Sequence, residues 1–305
     1  MRAARFHRYG GFDEVAVEEV PDPQPGEGEL LLRVKASGVN PFDWKMLHGV
    51  YAGGAPLPAP RGLGVDVAGV VERVGPGVAG VTPGQELLGM ATSPAFAELA
   101  LGRPEMLVAK PPEVSWEIAG SLGVVVGTAY ATLAQLGLRA GETLLLAGAA
   151  GMVGQVATQL AVARGVNVVG SASERNQERV RELGAVAVPY GDGLAQRFRE
   201  AAPDGADAGL DTSGHGELAA MLEVLGSPQR LITIGNAAEA QRLGVAFHAG
   251  GGGELTLPAL REVLPLIASG RFSIPIAGVY DLGQVGDALR ESELVHPAGK
   301  LVIVP

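Results

Sequence analysis

A chain of 305 residues has room for about two domains of ~150 residues, and 47% apolar against 18% charged residues excludes a disordered polypeptide. With no cysteine there is no disulfide scaffold, no thiolate nucleophile and no zinc site built from Cys. The 33 acidic and 23 basic residues leave a net charge of −10, so no nucleic-acid partner is expected and an anionic ligand needs a locally positive site.

Residues 1–20 carry Arg2, Arg5, Arg8, Asp13, Glu14, Glu18 and Glu19 and no apolar core of signal-peptide length, so no leader is expected. The cysteine count fits a reducing cytoplasm. The first 115 residues are β-rich: Leu30–Lys35 and Val65–Val74 read as strands, and Val78–Val81 and Gln85–Leu88 continue the pattern between Gly- and Pro-rich turns. The spacing resembles a small irregular barrel. Pro111-Pro112 marks a boundary.

Beyond Trp116 strands and helices alternate. A helix is predicted over Ile118–Leu136, a strand over Thr143–Ala147, and a helix from the Gly148–Gly151 turn through Arg164. Strands follow at Asn167–Val169, Ala185–Val188, Ala206–Leu210 and Arg230–Ile234, with helices at Asn176–Leu183, Leu194–Ala201 and Glu217–Leu225 between them. Helices near Pro258–Ser269 and Leu282–Ser292 and a strand Lys300–Val304 complete the chain. This rhythm argues for an α/β fold with a doubly wound parallel sheet. Two uncharged stretches, Ile118–Leu138 and Thr143–Ala163, are cut by glycines and read as buried parts of that domain, not as membrane spans.

The strongest motif is Gly148-Ala149-Ala150-Gly151-Met152-Val153-Gly154, which leaves an apolar strand and opens a helix. Helix N-termini present unpaired N–H groups and partial positive charge, which a pyrophosphate satisfies if no side chain blocks it. Gly151 permits that approach and Gly154 lets helix and strand pack closely. A dinucleotide site that selects NAD usually has Asp or Glu about 20 residues on. Here that stretch reads Ser171-Ala172-Ser173-Glu174-Arg175. Ser171 and Arg175 suit a 2′-phosphate, with Arg179 one turn further, and NADP is the expected cofactor. Glu174 is the counter-signal, since a one-residue shift restores an acidic reader.

At this point the chain resembles the medium-chain dehydrogenase/reductase superfamily, and most closely its zinc-free quinone oxidoreductases, the zeta-crystallin-like branch. The likeness rests on five blocks in order: Gly38–Lys45, Gly64–Val71, Gly148–Gly154, Asp211-Thr212-Ser213-Gly214 and His296–Leu301. It implies a GroES-like β-barrel domain over residues 1–116, completed by 256–305, around a Rossmann domain over 117–255. It also implies pairing of two copies through the last Rossmann strand, near Leu243–Ala249.

Zinc enzymes of the superfamily have Cys where this chain has Asn40 and a metal-binding His where it has Val65. Neither can supply the thiolate or imidazole of a tetrahedral site, so no metal is expected. Without a Lewis acid the hydride acceptor must already be electrophilic: a quinone or an enone. The resemblance further implies Asn40 and Thr128 near the nicotinamide, Tyr51 beside the acceptor, Tyr190 near the adenosine phosphate, and Gly235-Asn236 at the carboxamide. Ala149, Ala150, Gly151, Met152 and Val153 face the pyrophosphate, and Ser213 sits by the cofactor. Tyr51 or water supplies the proton. Asp43 and Asp66 are either an acid/base pair or ties that hold the barrel's loops together. His48 and His248 either line the acceptor site or are loop residues. No Tyr-x-x-x-Lys pair and no Gly-x-Ser-x-Gly elbow occurs. The leading expectation is an NADPH-dependent quinone or enone oxidoreductase. The alternatives are a non-catalytic NADPH-binding protein and a zinc-type alcohol dehydrogenase.

Overall fold

The computed structural model describes all 305 residues and divides into two units, Met1–Val124 with Thr256–Pro305, and Val125–Leu255. The chain opens with β1 (Arg2–Phe6), β2 (Ala16–Glu19), β3 (Leu30–Gly38), α1 (Pro41–Leu47) and β4 (Arg61–Gly62). Then come β5 (Asp66–Val74), β6 (Glu86–Ala91), β7 (Leu99–Ala109), α2 (Trp116–Ala119) and α3 (Gly123–Leu136). β3 pairs antiparallel with both β5 and β7, and β6 bridges those two, so the four strands form a ring of pairings. Leu30, Leu32, Val34, Val67, Val71 and Leu107 fill it.

The second unit contains β8 (Thr143–Ala147), α4 (Met152–Ala163), β9 (Asn167–Ala172), α5 (Gln177–Glu182), β10 (Val186–Pro189) and α6 (Leu194–Ala201). β11 (Ala208–Asp211), α7 (Leu218–Leu225), β12 (Leu231–Thr233), α8 (Ala237–Leu243) and β13 (Ala246–Phe247) finish it. All strands are parallel in the order β10-β9-β8-β11-β12-β13. The order reverses at β8, and open α/β sheets bind ligands outside the carboxyl ends of the strands at that switch. Register places Ala147 opposite Asp211, and Asp211 opposite Thr233, along this edge. Leu145, Val169, Phe198, Leu218, Met221 and Leu231 form the core beneath.

The tail returns to the first unit as α9 (Thr256–Ala268), β14 (Ile276–Asp281), α10 (Val285–Leu294) and β15 (Lys300–Val304). β15 pairs with β3, and Leu289 and Ile303 share a core with Phe6, Leu47 and Phe96.

Several elements differ from the sequence reading. The helix expected over Ile118–Leu136 is broken into α2 and α3, and Gly120 between them packs so close to β3 that a Cβ would strike the Ala36 carbonyl. Val78–Val81 is irregular chain between two turns, with Val78 and Val81 packed half-buried on the barrel core. The residues of β7 and β14 show no apolar–polar alternation in the sequence. Gly102 and Pro104 lie inside β7, and Gly278 sits at a register shift in β14.

Candidate cofactor and acceptor sites

Gly148 leaves β8 with φ +73°, and a Cβ there would lie 2.8 Å from the Thr212 hydroxyl oxygen. A Cβ on Gly154 would collide with the Gly148 carbonyl oxygen and approach Ala149 Cα to 2.8 Å. The fold itself therefore demands these two glycines. Gly151 is different. It is the N-cap of α4 with ordinary extended geometry, and an added Cβ would meet only the Gly148 carbonyl oxygen, at 3.4 Å. The space beside it is open, as a phosphate approaching the first N–H groups of α4 needs. Ala149 and Ala150 are buried and small, while Met152 and Val153 are half-buried in the first turn.

At the reader position the structure separates two serines. Ser171 lies within β9, fully buried, and its hydroxyl donates to Glu217 Oε1 at 2.8 Å. Ser213 Oγ lies 2.6 Å from Glu217 Oε2 and 2.9 Å from Asp211 Oδ1. Both hydroxyls are thus spent inside the fold. The first residue past the strand is Ser173, whose Oγ is buried with no hydrogen-bond partner. Gln177 Oε1 is orphaned in the same way, while its Nε2 donates to the Ala172 carbonyl at 2.8 Å. Arg175 is exposed beside them in the short turn Glu174–Asn176. Arg179 is turned away, with Nε 3.0 Å from Gln155 Oε1. Counting a fixed distance from Gly151 does not reach Ser173 and Gln177; the end of β9 is what singles them out.

Thr128 on α3 is buried, and its Oγ1 accepts from Gly251 N at 2.7 Å, tying down the Gly250–Gly253 loop. Gly235 passes so close to Gly214 that neither tolerates a Cβ. Asn236 caps α8, its Oδ1 accepting from Glu239 N at 3.0 Å. Tyr190 follows β10 and is exposed.

In the first unit, Asn40 is the N-cap of α1 with Pro41 at the first helical position, where a missing N–H costs nothing. Its side chain is saturated. Nδ2 donates to Gly38 O at 3.1 Å and to Asp66 Oδ2 at 2.9 Å, and Oδ1 accepts from Lys300 Nζ at 2.7 Å. Asp43 accepts from Asn40 N at 2.9 Å and from Gly64 N at 3.1 Å. Asp66 accepts from Val124 N at 2.7 Å and lies 3.7 Å from Lys300 Nζ. All four side chains are buried. Burial pushes the Asp43 carboxyl up to about 7 against two backbone N–H bonds that favour its charge. Burial likewise raises Asp66 and lowers Lys300, each opposed by the other's charge. This is a tie that joins β3, α1, β5 and β15, and Lys300 was not singled out from the sequence.

Tyr51 follows α1 and is 60% exposed, its ring 5.6 Å from that of Phe42. Both line a pocket of about 160 Å³ with Tyr9, Met46 and Arg61. Gly49, at φ +74°, lets the chain turn against the Tyr9 ring, where a Cβ would lie 2.9 Å from Cγ. His48 is held at both nitrogens, by Gly10 O at 2.7 Å and Glu293 Oε2 at 2.8 Å, which fastens α1 to α10. Burial alone would lower its pKa, but Glu293 and Gly10 together outweigh that and raise it. His248 Nδ1 accepts from Gly250 N at 3.1 Å, a loop contact in the second unit. No group of three or more His, Asp or Glu is placed to hold a metal ion, and no helix is long and apolar enough to cross a membrane.

Comparison with known proteins places the fold and the family. Residues 26–141 match the alcohol dehydrogenase GroES-like domain and residues 183–303 the zinc-binding dehydrogenase family. The 2-methylene-furan-3-one reductase of Solanum lycopersicum is 30% identical, across 100% of this chain and 79% of its own length. A mycobacterial quinone oxidoreductase structure is 27% identical with a TM-score of 0.82, covering 100% of both chains. A mycobacterial protein solved in complex with NADPH is 27% identical with a TM-score of 0.86, again over 100% of both. The chain belongs to the quinone oxidoreductase family of the medium-chain dehydrogenases/reductases.

Proposed function

We propose that this chain is an NADPH-dependent oxidoreductase that delivers hydride to a quinone or to the β-carbon of an α,β-unsaturated carbonyl. One observation carries the cofactor half: a buried, unpartnered Ser173 hydroxyl beside exposed Arg175 at the end of β9, where an NAD reader would place a carboxylate. The relatives support the whole reading: one is a reductase of an exocyclic enone, one a quinone oxidoreductase, and one was solved with NADPH.

The first N–H groups of α4, around Gly151, Met152 and Val153, hold the pyrophosphate. Ser173 and Arg175 hold the 2′-phosphate, and Tyr190 packs by the adenosine. The backbone at Gly235-Asn236 meets the carboxamide. In the second unit Thr128 shapes the nicotinamide's surroundings through the loop it ties down; in the first unit Asn40 and Asp43 fix α1 and Gly64 on the acceptor side. When bound, NADPH supplies the hydride. As hydride enters the β-carbon, the double-bond electrons move to the carbonyl oxygen. The Tyr51 hydroxyl, which makes no other hydrogen bond, donates to that oxygen, and Tyr51 or water returns a proton to the α-carbon. Short edge strand β13, with Phe247 exposed, offers its open edge to a second copy, which supports a homodimer; the absence of cysteine fits work in a reducing cytoplasm. Light scattering at micromolar concentration tests that assembly.

The function is tested by NADPH consumption on a panel of simple quinones, enones and alkenals. Steady oxidation with one of these classes is expected. Tight NADPH binding with no turnover on any of them would leave a cofactor-binding protein without catalysis.

A further inference from the structure

We propose that the Tyr51 pocket selects a conjugated acceptor bearing a carboxylate, and that Arg61 recognises that carboxylate. This rests on the reading of the pocket as the acceptor site and names the class of acceptor it takes. At about 160 Å³ the pocket is close in size to an apolar cavity that holds benzene. It therefore takes one ring or a short conjugated chain. Tyr9, Phe42, Met46 and Tyr51 supply its apolar surface, and Arg61 is the one charged residue among its walls.

Arg61 is not a stray loop residue. It lies in β4 opposite Phe6 of β1, and the preceding Pro60 carbonyl is held by Arg5 at 3.0 Å. Arg5 itself is paired with Glu18, so it does not compete for an anion in the pocket. Elsewhere in this acidic chain arginines meet carboxylates, as Arg2, Arg8, Arg199 and Arg230 do. The exposed Arg61 guanidinium has no hydrogen bond, no ion pair and no ring beneath it. The group stays charged at every accessible pH. A neutral ligand closing over it strips its water and returns nothing, which is costly. A carboxylate returns two parallel N–H···O bonds in the geometry a guanidinium prefers. Anchored there, the acceptor leaves its carbonyl end to the Tyr51 hydroxyl, so binding at the unreactive end positions the reacting one.

The experiment compares 4-carboxybenzylideneacetone with its methyl ester as acceptors for NADPH, using the unmodified protein, Arg61→Ala and Arg61→Glu. The unmodified protein should favour the acid by about tenfold or more in kcat/KM, mainly through KM. The ratio should fall to about one in Arg61→Ala, invert in Arg61→Glu, and shrink as salt is raised. In parallel, calorimetry without NADPH measures binding of the saturated ketone acid and its methyl ester. An Arg61-dependent preference for the acid in that measurement supports the anion site even if neither enone is reduced, an outcome that removes only the redox reading. Equal affinity for acid and ester in the unmodified protein, or a preference that survives Arg61→Ala, overturns the proposal.

Discussion

The end of β9 and the start of α1 are both dense in polar side chains, and they spend their hydrogen bonds in opposite ways. Around α1, Asn40, Asp43, Asp66 and Lys300 satisfy one another and the backbone, leaving little capacity for a ligand. At the end of β9, Ser173 Oγ and Gln177 Oε1 are buried with nothing to bond. A buried polar atom without a partner costs roughly 1–3 kcal/mol, a penalty that a bound ligand removes. The contrast separates residues that hold the protein from residues with hydrogen-bonding capacity left for a ligand. Thr128 falls on the first side, because its hydroxyl is already given to Gly251; Tyr51 and Arg61 are exposed and unpaired, so they keep capacity for a ligand without the cost of burial.

Breaking the saturated side should produce the largest effect. Lys300→Met leaves Asp66 and the Asn40 amide oxygen buried without their cation. The expected loss is about 3–5 kcal/mol of unfolding free energy, measured by urea denaturation. A loss below about 1 kcal/mol would mean that the tie is not what secures β15 to β3.

Titration of the same region sharpens the comparison. The folded-state pKa of Asp43 is raised to about 7. The unfolded chain releases that proton near pH 4, so between about pH 4 and 7 the folded state binds more protons than the unfolded one. Its contribution to stability is full below about pH 4, declines as pH rises, and is gone above 7. The slope is at most about 1.4 kcal/mol per pH unit. Asp43→Asn should flatten the stability profile in that window relative to the unmodified protein. Parallel profiles would show that Asp43 stays ionised in the fold.

How much of this was legible beforehand depended on which physical signal each residue left. The second unit could be read because β8 is an unbroken apolar run ending in a Gly-rich turn, and the helices after it have clear length and period. β7 could not, since Gly102 and Pro104 interrupt it and its alternate residues face a barrel interior and solvent unevenly. The cofactor reader was placed at Ser171 by counting residues, but chain distance does not know where a strand stops. β9 runs to Ala172, which puts Ser171 inside the sheet and Ser173 at its mouth. Asn40 and Asp43 were found as a motif, whereas their saturation depends on Lys300, some 260 residues away in the chain. Arg61, set among prolines and glycines, leaves no signal in the sequence; its place in β4 and in the pocket lining with Tyr51 depends on the fold.

The unspent side is tested next. Ser173→Ala and Arg175→Ala should each weaken NADPH binding by about 1–3 kcal/mol while NADH binding changes little, since only the 2′-phosphate loses a partner. Calorimetry with both cofactors reads this directly. Equal affinity for the two cofactors in the unmodified protein would remove the reader from the end of β9. A large effect of Ser171→Ala on NADPH alone would move it back into the strand.

The smallest expected effect belongs to Tyr51, and it bears most closely on the chemistry. Its ring is half of an aromatic wall with Phe42, so some of its value is packing that Phe retains. Only the hydroxyl distinguishes a donor from a wall. Burial raises its pKa, so the phenol keeps its proton at neutral pH and is ready to donate. Negative charge grows on the acceptor's carbonyl oxygen as hydride arrives, and a hydrogen bond that strengthens in that transition state lowers the barrier by about 1.4 kcal/mol or more. Tyr51→Phe should therefore reduce kcat on an enone by about tenfold or more with little change in KM. Quinones, whose reduction gives an aromatic phenolate that is less basic than an enolate, should suffer less. An unchanged kcat on enones would leave Tyr51 as part of the pocket wall and make water the proton source.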